Sequence, residues 1–144
     1  ITKDGHFVLI DQYRHGIGQT HYELVAGCIN EGETPLEAAK RELYEETGFA
    51  GGKWSEFMVS APNSSNQSNW SYTYLAVGVE QVSTQHLEET EDIRVHVLTK
   101  EEVRALLEAG EMVNCHYTAP LWKYFALSDL SPASNARSVS VVER

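Results

Sequence analysis

Basic side chains are scarce in this chain. Eleven Lys and Arg stand against 21 Asp and Glu, a formal net charge of −10, so it lacks the Lys/Arg stripe with which a protein tracks nucleic-acid phosphates. An anionic small-molecule substrate would need bridging cations. Long apolar runs are also missing: no window approaches the roughly 18 consecutive apolar residues of a membrane span, and no signal-peptide pattern is present. Cysteine is limited to Cys28 and Cys115, without CxxC spacing or a companion His cluster. Neither a zinc site nor a disulfide framework is indicated, and a reducing, cytoplasmic setting is the simplest reading. With no HExxH and no close His pair, the six histidines read as surface or structural residues. No Ser or Cys stands out as a nucleophile.

What is present fits one compact domain: 144 residues with 42% hydrophobic content can close a core but not two. Ile1 is not a methionine, so residues upstream are expected to be missing. β-branched and aromatic runs at His6–Asp11, His21–Ala26, Trp54–Ala61, Trp70–Glu80 and Asp92–Leu98 read as strands. The last alternates Ile93, Val95 and Val97 with Arg94 and His96, as a half-buried strand does. Thr34, Pro35 and Glu37 form a capping box with proline at the first helical position, and Gly48 sits where a left-handed cap belongs, which predicts a helix over Pro35–Thr47. Thr99 and Glu102 repeat the box, with Gly110 as the stop. A third helix is expected over Ala119–Leu127.

Strands with few helices imply an α+β or α/β layered fold, with the domain over 1–127. Residues 128–144 read as a polar surface tail. Because Ser134-Asn135-Ala136 resembles a scar of affinity-tag removal, 134–144 also read as an N-terminal piece standing out of order.

The most informative segment begins at Gly27. Five residues on comes Glu33, and seven later Arg41-Glu42-Leu43-Tyr44-Glu45-Glu46-Thr47-Gly48-Phe49. Glu42, Glu45 and Glu46 fall at i, i+3 and i+4 and share one helical face, while Leu36, Ala39 and Leu43 form an adjacent face able to bury against a sheet. A helix with these glutamates is either a solvated acidic stripe or a set of hard oxygen ligands of the kind Mg²⁺ prefers. The segment matches GX5EX7REUXEEXGU, with U a bulky apolar residue, at every specified position. Its seven fixed residues arise together by chance at roughly one start in a hundred million. On this motif the chain resembles the Nudix hydrolases.

That resemblance implies an α+β fold of α/β/α layers, a mixed β-sheet flanked by helices with a loop-helix-loop motif. It implies metal ligation by Glu42 and Glu46, with Glu45 auxiliary, and Arg41 orienting the glutamates. Gly27 and Gly48 are expected to be structural, and Glu33 to organise the loop through hydrogen bonds. Beyond the motif, residues 6–127 resemble bacterial ADP-ribose pyrophosphatases. Gln12-Tyr13-Arg14 is similar to the strand end that supplies an arginine, here Arg14, to the substrate diphosphate. Glu23-Leu24-Val25-Ala26-Gly27 is similar to the segment whose alanine carbonyl, here Ala26 O, completes the metal shell. Glu23 is either a substrate-pocket residue or an ordinary strand-end carboxylate. Glu88–Asp92 is an acidic turn that resembles the family's catalytic loop, giving Glu89 as catalytic glutamate and Glu91 as a further ligand, with Glu88 replacing Glu89 if the register slips by one. Pro62 resembles the proline that accompanies ADP-ribose preference. Trp70, Tyr72 and Tyr74 read as sheet-face packing in preference to base stacking.

The implied chemistry is Mg²⁺-dependent hydrolysis, with Mn²⁺ as a substitute, of a nucleoside diphosphate derivative, foremost ADP-ribose to AMP and ribose 5-phosphate. A different nucleotide sugar, a dinucleotide cofactor or a dinucleoside polyphosphate is the first alternative, and a non-catalytic nucleotide sensor the second. The resemblance also implies a homodimer.

Overall fold

The computed structural model describes residues 1–130. Strands β1 (Phe7–Arg14), β2 (Gln19–Glu23), β3 (Phe49–Ser60), β4 (Ser71–Gln81) and β5 (Ile93–Leu98) alternate with helices α1 (Pro35–Thr47), α2 (Lys100–Ala109) and α3 (Cys115–Asp129). β1 is the centre of an antiparallel sheet ordered β2-β1-β5, and β3 and β4 form a long antiparallel pair. The parallel component is a single bridge, Thr2 to Val79.

Alternation along β1 sends side chains to two cores. Phe7 and Leu9 pack with Val103 and Leu107 of α2 and with Tyr117, Leu121 and Phe125 of α3. Val8, with Val95 of β5, lies against Leu43 of α1, Phe49 and Val79. Helices therefore cover both sheet faces, the α/β/α layering expected of an α+β Nudix fold. Each such side chain, fully buried, contributes about 1.5–3 kcal/mol.

Both predicted capping boxes form. Thr34 accepts from the Glu37 N–H while the Glu37 carboxylate accepts from the Thr34 N–H, and Thr99 and Glu102 do the same for α2. Gly48 closes α1 at φ 73°, and its N–H donates to the Tyr44 carbonyl at 2.8 Å.

Boundaries moved for identifiable reasons. β3 begins five residues before the expected Trp54, because Gly51 and Gly52 lie inside the strand at φ 78° and 73° and do not break it. At Gly52 a Cβ would come 2.8 Å from the Val77 carbonyl oxygen, so the glycine serves close backbone approach across the pair. β1 continues to Arg14, since its polar end still pairs with β2. β2 stops at Glu23 and not at Ala26, leaving Leu24–Ile29 without strand pairing. α3 starts at Cys115, where Asn114 accepts from the His116 N–H; Pro120, expected near the helix start, lies inside it. α3 also runs two residues past the expected domain end at 127. The expectations for 134–144 lie outside the described residues.

Candidate functional site

α1 carries its acidic face into the molecule. Glu46 is 5% exposed, and its Oε2 has no hydrogen-bond partner among the described residues. Burial raises its pKa to about 8, and the neighbouring Glu42 and Glu91 carboxylates push it in the same direction. The Ala26 N–H, which the carboxylate accepts, and the Arg14 guanidinium pull it down by less. Gly27 lies against Glu42: a Cβ there would overlap the Glu42 carboxyl group. Its role is to clear space beside a side chain. Of the two glycines expected to be structural, only Gly48 has a positive φ.

Arg41 is the hub that the sequence suggested. Its Nε and Nη2 donate to the two Glu33 oxygens at 2.9 and 3.0 Å, its Nη1 to Glu42 at 2.7 Å and Glu45 at 3.0 Å, and Nη2 also to the Cys28 carbonyl at 2.9 Å. Hydrogen bonding to Glu33 first, then to Glu42, holds the guanidinium in its charged form. Glu33 further accepts from the Asn30 N–H at 3.0 Å. One planar cation thus ties the loop before α1 to two of its glutamates, a task suited to the fixed fork of arginine.

Arg14, the last residue of β1, makes a two-pronged ion pair with Glu23: Nε to Oε1 at 2.9 Å and Nη2 to Oε2 at 2.6 Å. Glu23 is only 2% exposed, so the pair is half sunk into the sheet. Nη2 also donates to the Tyr117 hydroxyl at 3.3 Å, and burial, ahead of the Glu23 charge, pushes that phenol up to about 12. Tyr117 was not anticipated; it lies 103 residues from Arg14, and no local pattern announces a contact made by a distant helix.

The segment before β5 is pinned to α1. The His86 N–H donates to the Glu45 carbonyl at 2.7 Å, and the Gln85 amide donates to the carbonyls of Glu46 at 2.8 Å and Ile93 at 3.0 Å. Sequence reasoning missed Gln85 as well, since a lone glutamine carries no spacing signal. These ties bring the half-buried Glu91 within electrostatic reach of Glu46, while Glu89 stands exposed in the turn two residues earlier. Glu91 accepts from the Glu88 N–H at 2.9 Å.

The structure therefore groups Glu42, Glu46 and Glu91, with Ala26 and Arg14 beside them, and sets Glu45 and Arg41 one turn away. Glu89 is the outlying member. Among the described residues no three acidic, His or Cys side chains converge closely enough to hold an ion as they stand, because Glu42 is turned to Arg41 and Glu91 to the Glu88 amide. Rotations of such side chains take picoseconds to nanoseconds. The donor set fits a hard divalent cation: carboxylates from two elements, one with a buried oxygen lacking a partner, and a glycine clearing the approach.

A cavity of about 700 Å³ is a different place. It is lined mainly by apolar groups between α1, α3 and β4, and meets the acidic cluster at Ala26, Gly27 and Glu42. No Lys or Arg side chain is among its lining residues. Trp70, Tyr72 and Tyr74 all line it; Tyr74 is half-buried, whereas Trp70 and Tyr72 are exposed and, contrary to expectation, not packed into the sheet face.

The chain is similar to several characterised proteins. It is 27% identical over 130 residues to an ADP-ribose pyrophosphatase of Bacillus subtilis (strain 168), covering 90% of this chain and 70% of the relative. Identity is 34% over 116 residues with an ADP-ribose pyrophosphatase of Mycobacterium tuberculosis, covering 77% and 55%, and 32% over 120 residues with that of Escherichia coli (strain K12), covering 74% and 55%. The chain spans between about half and seven tenths of the length of these relatives. A crystal structure of an ADP compounds hydrolase matches its fold with a TM-score of 0.76 at 24% identity, covering 86% of this chain and 66% of that one. The NUDIX domain family model matches residues 1–118, and with the complete motif on an acidic helix now placed in the fold, the chain belongs to the Nudix family.

Proposed function

We propose that this protein is a hydrolase that cleaves the diphosphate linkage of a nucleoside diphosphate sugar with the help of Mg²⁺, foremost ADP-ribose to AMP and ribose 5-phosphate. The observation that carries the reading is the buried, partnerless Glu46 oxygen facing Glu42 and Glu91. Three carboxylates gathered without a cation repel one another, and a divalent ion removes both that repulsion and the desolvation of Glu46. The relatives named ADP-ribose pyrophosphatase support the substrate class, and Pro62, in the bend after β3, agrees with it.

Glu42, Glu46, Glu91 and the Ala26 carbonyl would hold the cation. When bound, it neutralises the diphosphate and makes an attacking water more acidic. Glu89 orients that water or takes its proton, from the exposed turn two residues before Glu91. Arg14 keeps Nη1 free of partners among the described residues while Glu23 fixes its other nitrogens, so it presents a positive edge to phosphate oxygens on which negative charge grows. Glu23 is then a positioning residue behind Arg14. Arg41 and Glu33 hold the motif loop, and Glu45 stands as an auxiliary ligand. The two exposed free thiols, Cys28 and Cys115, agree with a reducing cytoplasmic setting, and the family resemblance with a homodimer.

A panel of nucleotide sugars, dinucleotide cofactors and dinucleoside polyphosphates, assayed with Mg²⁺ and with chelator and read by product identity, tests this. Metal-dependent release of AMP and ribose 5-phosphate from ADP-ribose is the expected result. Preference for another member of the panel corrects the substrate alone. Binding of ADP-ribose without turnover of any compound would make the protein a nucleotide sensor.

A further inference from the structure

The Arg14 guanidinium is held in one pose, and the hold comes from both faces of the sheet. Arg14 pairs with Gln19 and Glu23 with Ile10, so the His21–Gln12 pair lies between them and the arginine reaches back along the sheet to meet its carboxylate. It meets Glu23 side-on, through Nε at 2.9 Å and Nη2 at 2.6 Å, and the remaining Nη2 proton goes to the Tyr117 hydroxyl at 3.3 Å. Of the five N–H donors of an arginine this uses three, and the two on Nη1 have no partner among the described residues. The ring of Tyr117 belongs to the other face, where it packs with Phe7, Leu9, Leu121 and Phe125 in the core of α2 and α3. The Arg14 charge, by contrast, is felt on the α1 side, where it lowers the Glu46 pKa. β2 is an edge strand, the place where a side chain rooted on one face can bond a group on the other.

Glu23 alone does not select that pose. A carboxylate can take a guanidinium side-on, through the Nε proton and the Nη proton parallel to it, or end-on, through the other Nη2 proton and its Nη1 neighbour. End-on pairing would spend Nη1 on Glu23. Tyr117 accepts the one Nη2 proton that end-on pairing needs, and so excludes it. We infer that Tyr117 is a positioning residue for diphosphate hydrolysis: its hydroxyl locks Arg14 side-on against Glu23 and thereby keeps Nη1 available to a phosphate oxygen of the substrate. This rests on the reading of the site proposed above. A phenol suits the task better than a carboxylate. Burial first, then the Glu23 charge, pushes Tyr117 up to about 12, so it accepts from the arginine as a neutral group and adds no second negative charge to cancel the cation. Its ring is anchored in the core by rigid neighbours, which fixes the hydroxyl where a longer polar side chain would wander.

The test uses Tyr117→Phe, which keeps the ring in its core and removes only the hydroxyl. Rotation of the Arg14 guanidinium is followed by nitrogen-15 NMR in the substrate-free protein, its signal identified by its absence from Arg14→Ala. Tyr117→Phe should speed that rotation about tenfold or more, since one of the bonds that restrain it is gone. In Mg²⁺-dependent hydrolysis of ADP-ribose the same substitution should lower kcat/KM about tenfold. In an Arg14→Ala background it should change kcat/KM by less than about twofold, because the hydroxyl then has nothing to orient. Unchanged rotation overturns the inference, as does an unchanged kcat/KM. So does an equal loss in both backgrounds, which would make Tyr117 a packing residue only. If the parent turns over no compound while Tyr117→Phe still frees the guanidinium, the hydrolase reading fails and the lock on Arg14 stands.

Discussion

At the scale of single residues, the account turns on Glu46. Its carboxyl titrates near 8 in the folded, metal-free protein against 4.5 ordinarily. A raised pKa stabilises the fold fully below the unfolded value and loses that contribution as pH rises through the folded one. Metal-free protein should therefore lose thermal stability between about pH 4.5 and 8, and Glu46→Gln should flatten this dependence. The same variant should lose the stabilisation that Mg²⁺ gives the unmodified chain at pH 8, and Glu42→Gln and Glu46→Gln should each cut turnover by about a hundredfold or more with the circular dichroism spectrum unchanged. Gly27→Ala separates placement from folding. The atoms nearest its Cβ would be the flexible end of Glu42, and Gly27 needs no positive φ, so stability should change by less than about 1 kcal/mol while metal affinity falls. Equal affinities of the alanine variant and the parent in a Mn²⁺ titration would contradict this.

At the scale of elements, α1 is held by its ends. Thr34→Ala removes an N-cap and should cost about 1 kcal/mol in denaturant unfolding. Gly48→Ala should cost more, about 1–3 kcal/mol for the left-handed backbone alone, since its Cβ also overlaps the Ser83 carbonyl. That carbonyl belongs to the segment leading to Glu91, so activity should fall along with stability. α1 was fully legible in the sequence because capping box, proline and C-terminal glycine are local signals that agree with one another. β3 was not, because Gly51 and Gly52 look like a turn until a neighbouring strand is seen to approach them. The start of α3 was hidden by Pro120, whose usual place is the first turn. In the site, the motif residues and the Arg41 hub could be read from spacing. Tyr117 on Arg14 and Gln85 on α1 could not, since each contact joins elements far apart in the chain.

At the scale of the whole molecule, hydrogen bonds tie the segment before β5 to α1, and the chain as a whole carries 21 acidic residues against 11 basic ones, which leaves cations as natural partners. A net charge of −10 repels a free diphosphate, so chelation should abolish substrate binding as well as catalysis. Calorimetric titration with ADP-ribose in EDTA and in Ca²⁺, used as a slow or inert replacement ion, checks this: heat of binding is expected only with the ion. The central claim is that glutamates from α1 and the Glu88–Asp92 turn grip a divalent ion against a diphosphate. It is tested most directly by hydrolysis of ADP-ribose followed by phosphorus NMR in Mg²⁺ and in EDTA. The account predicts AMP and ribose 5-phosphate with Mg²⁺ and intact ADP-ribose with EDTA; equal rates in both, or full activity of Glu46→Gln, would contradict it.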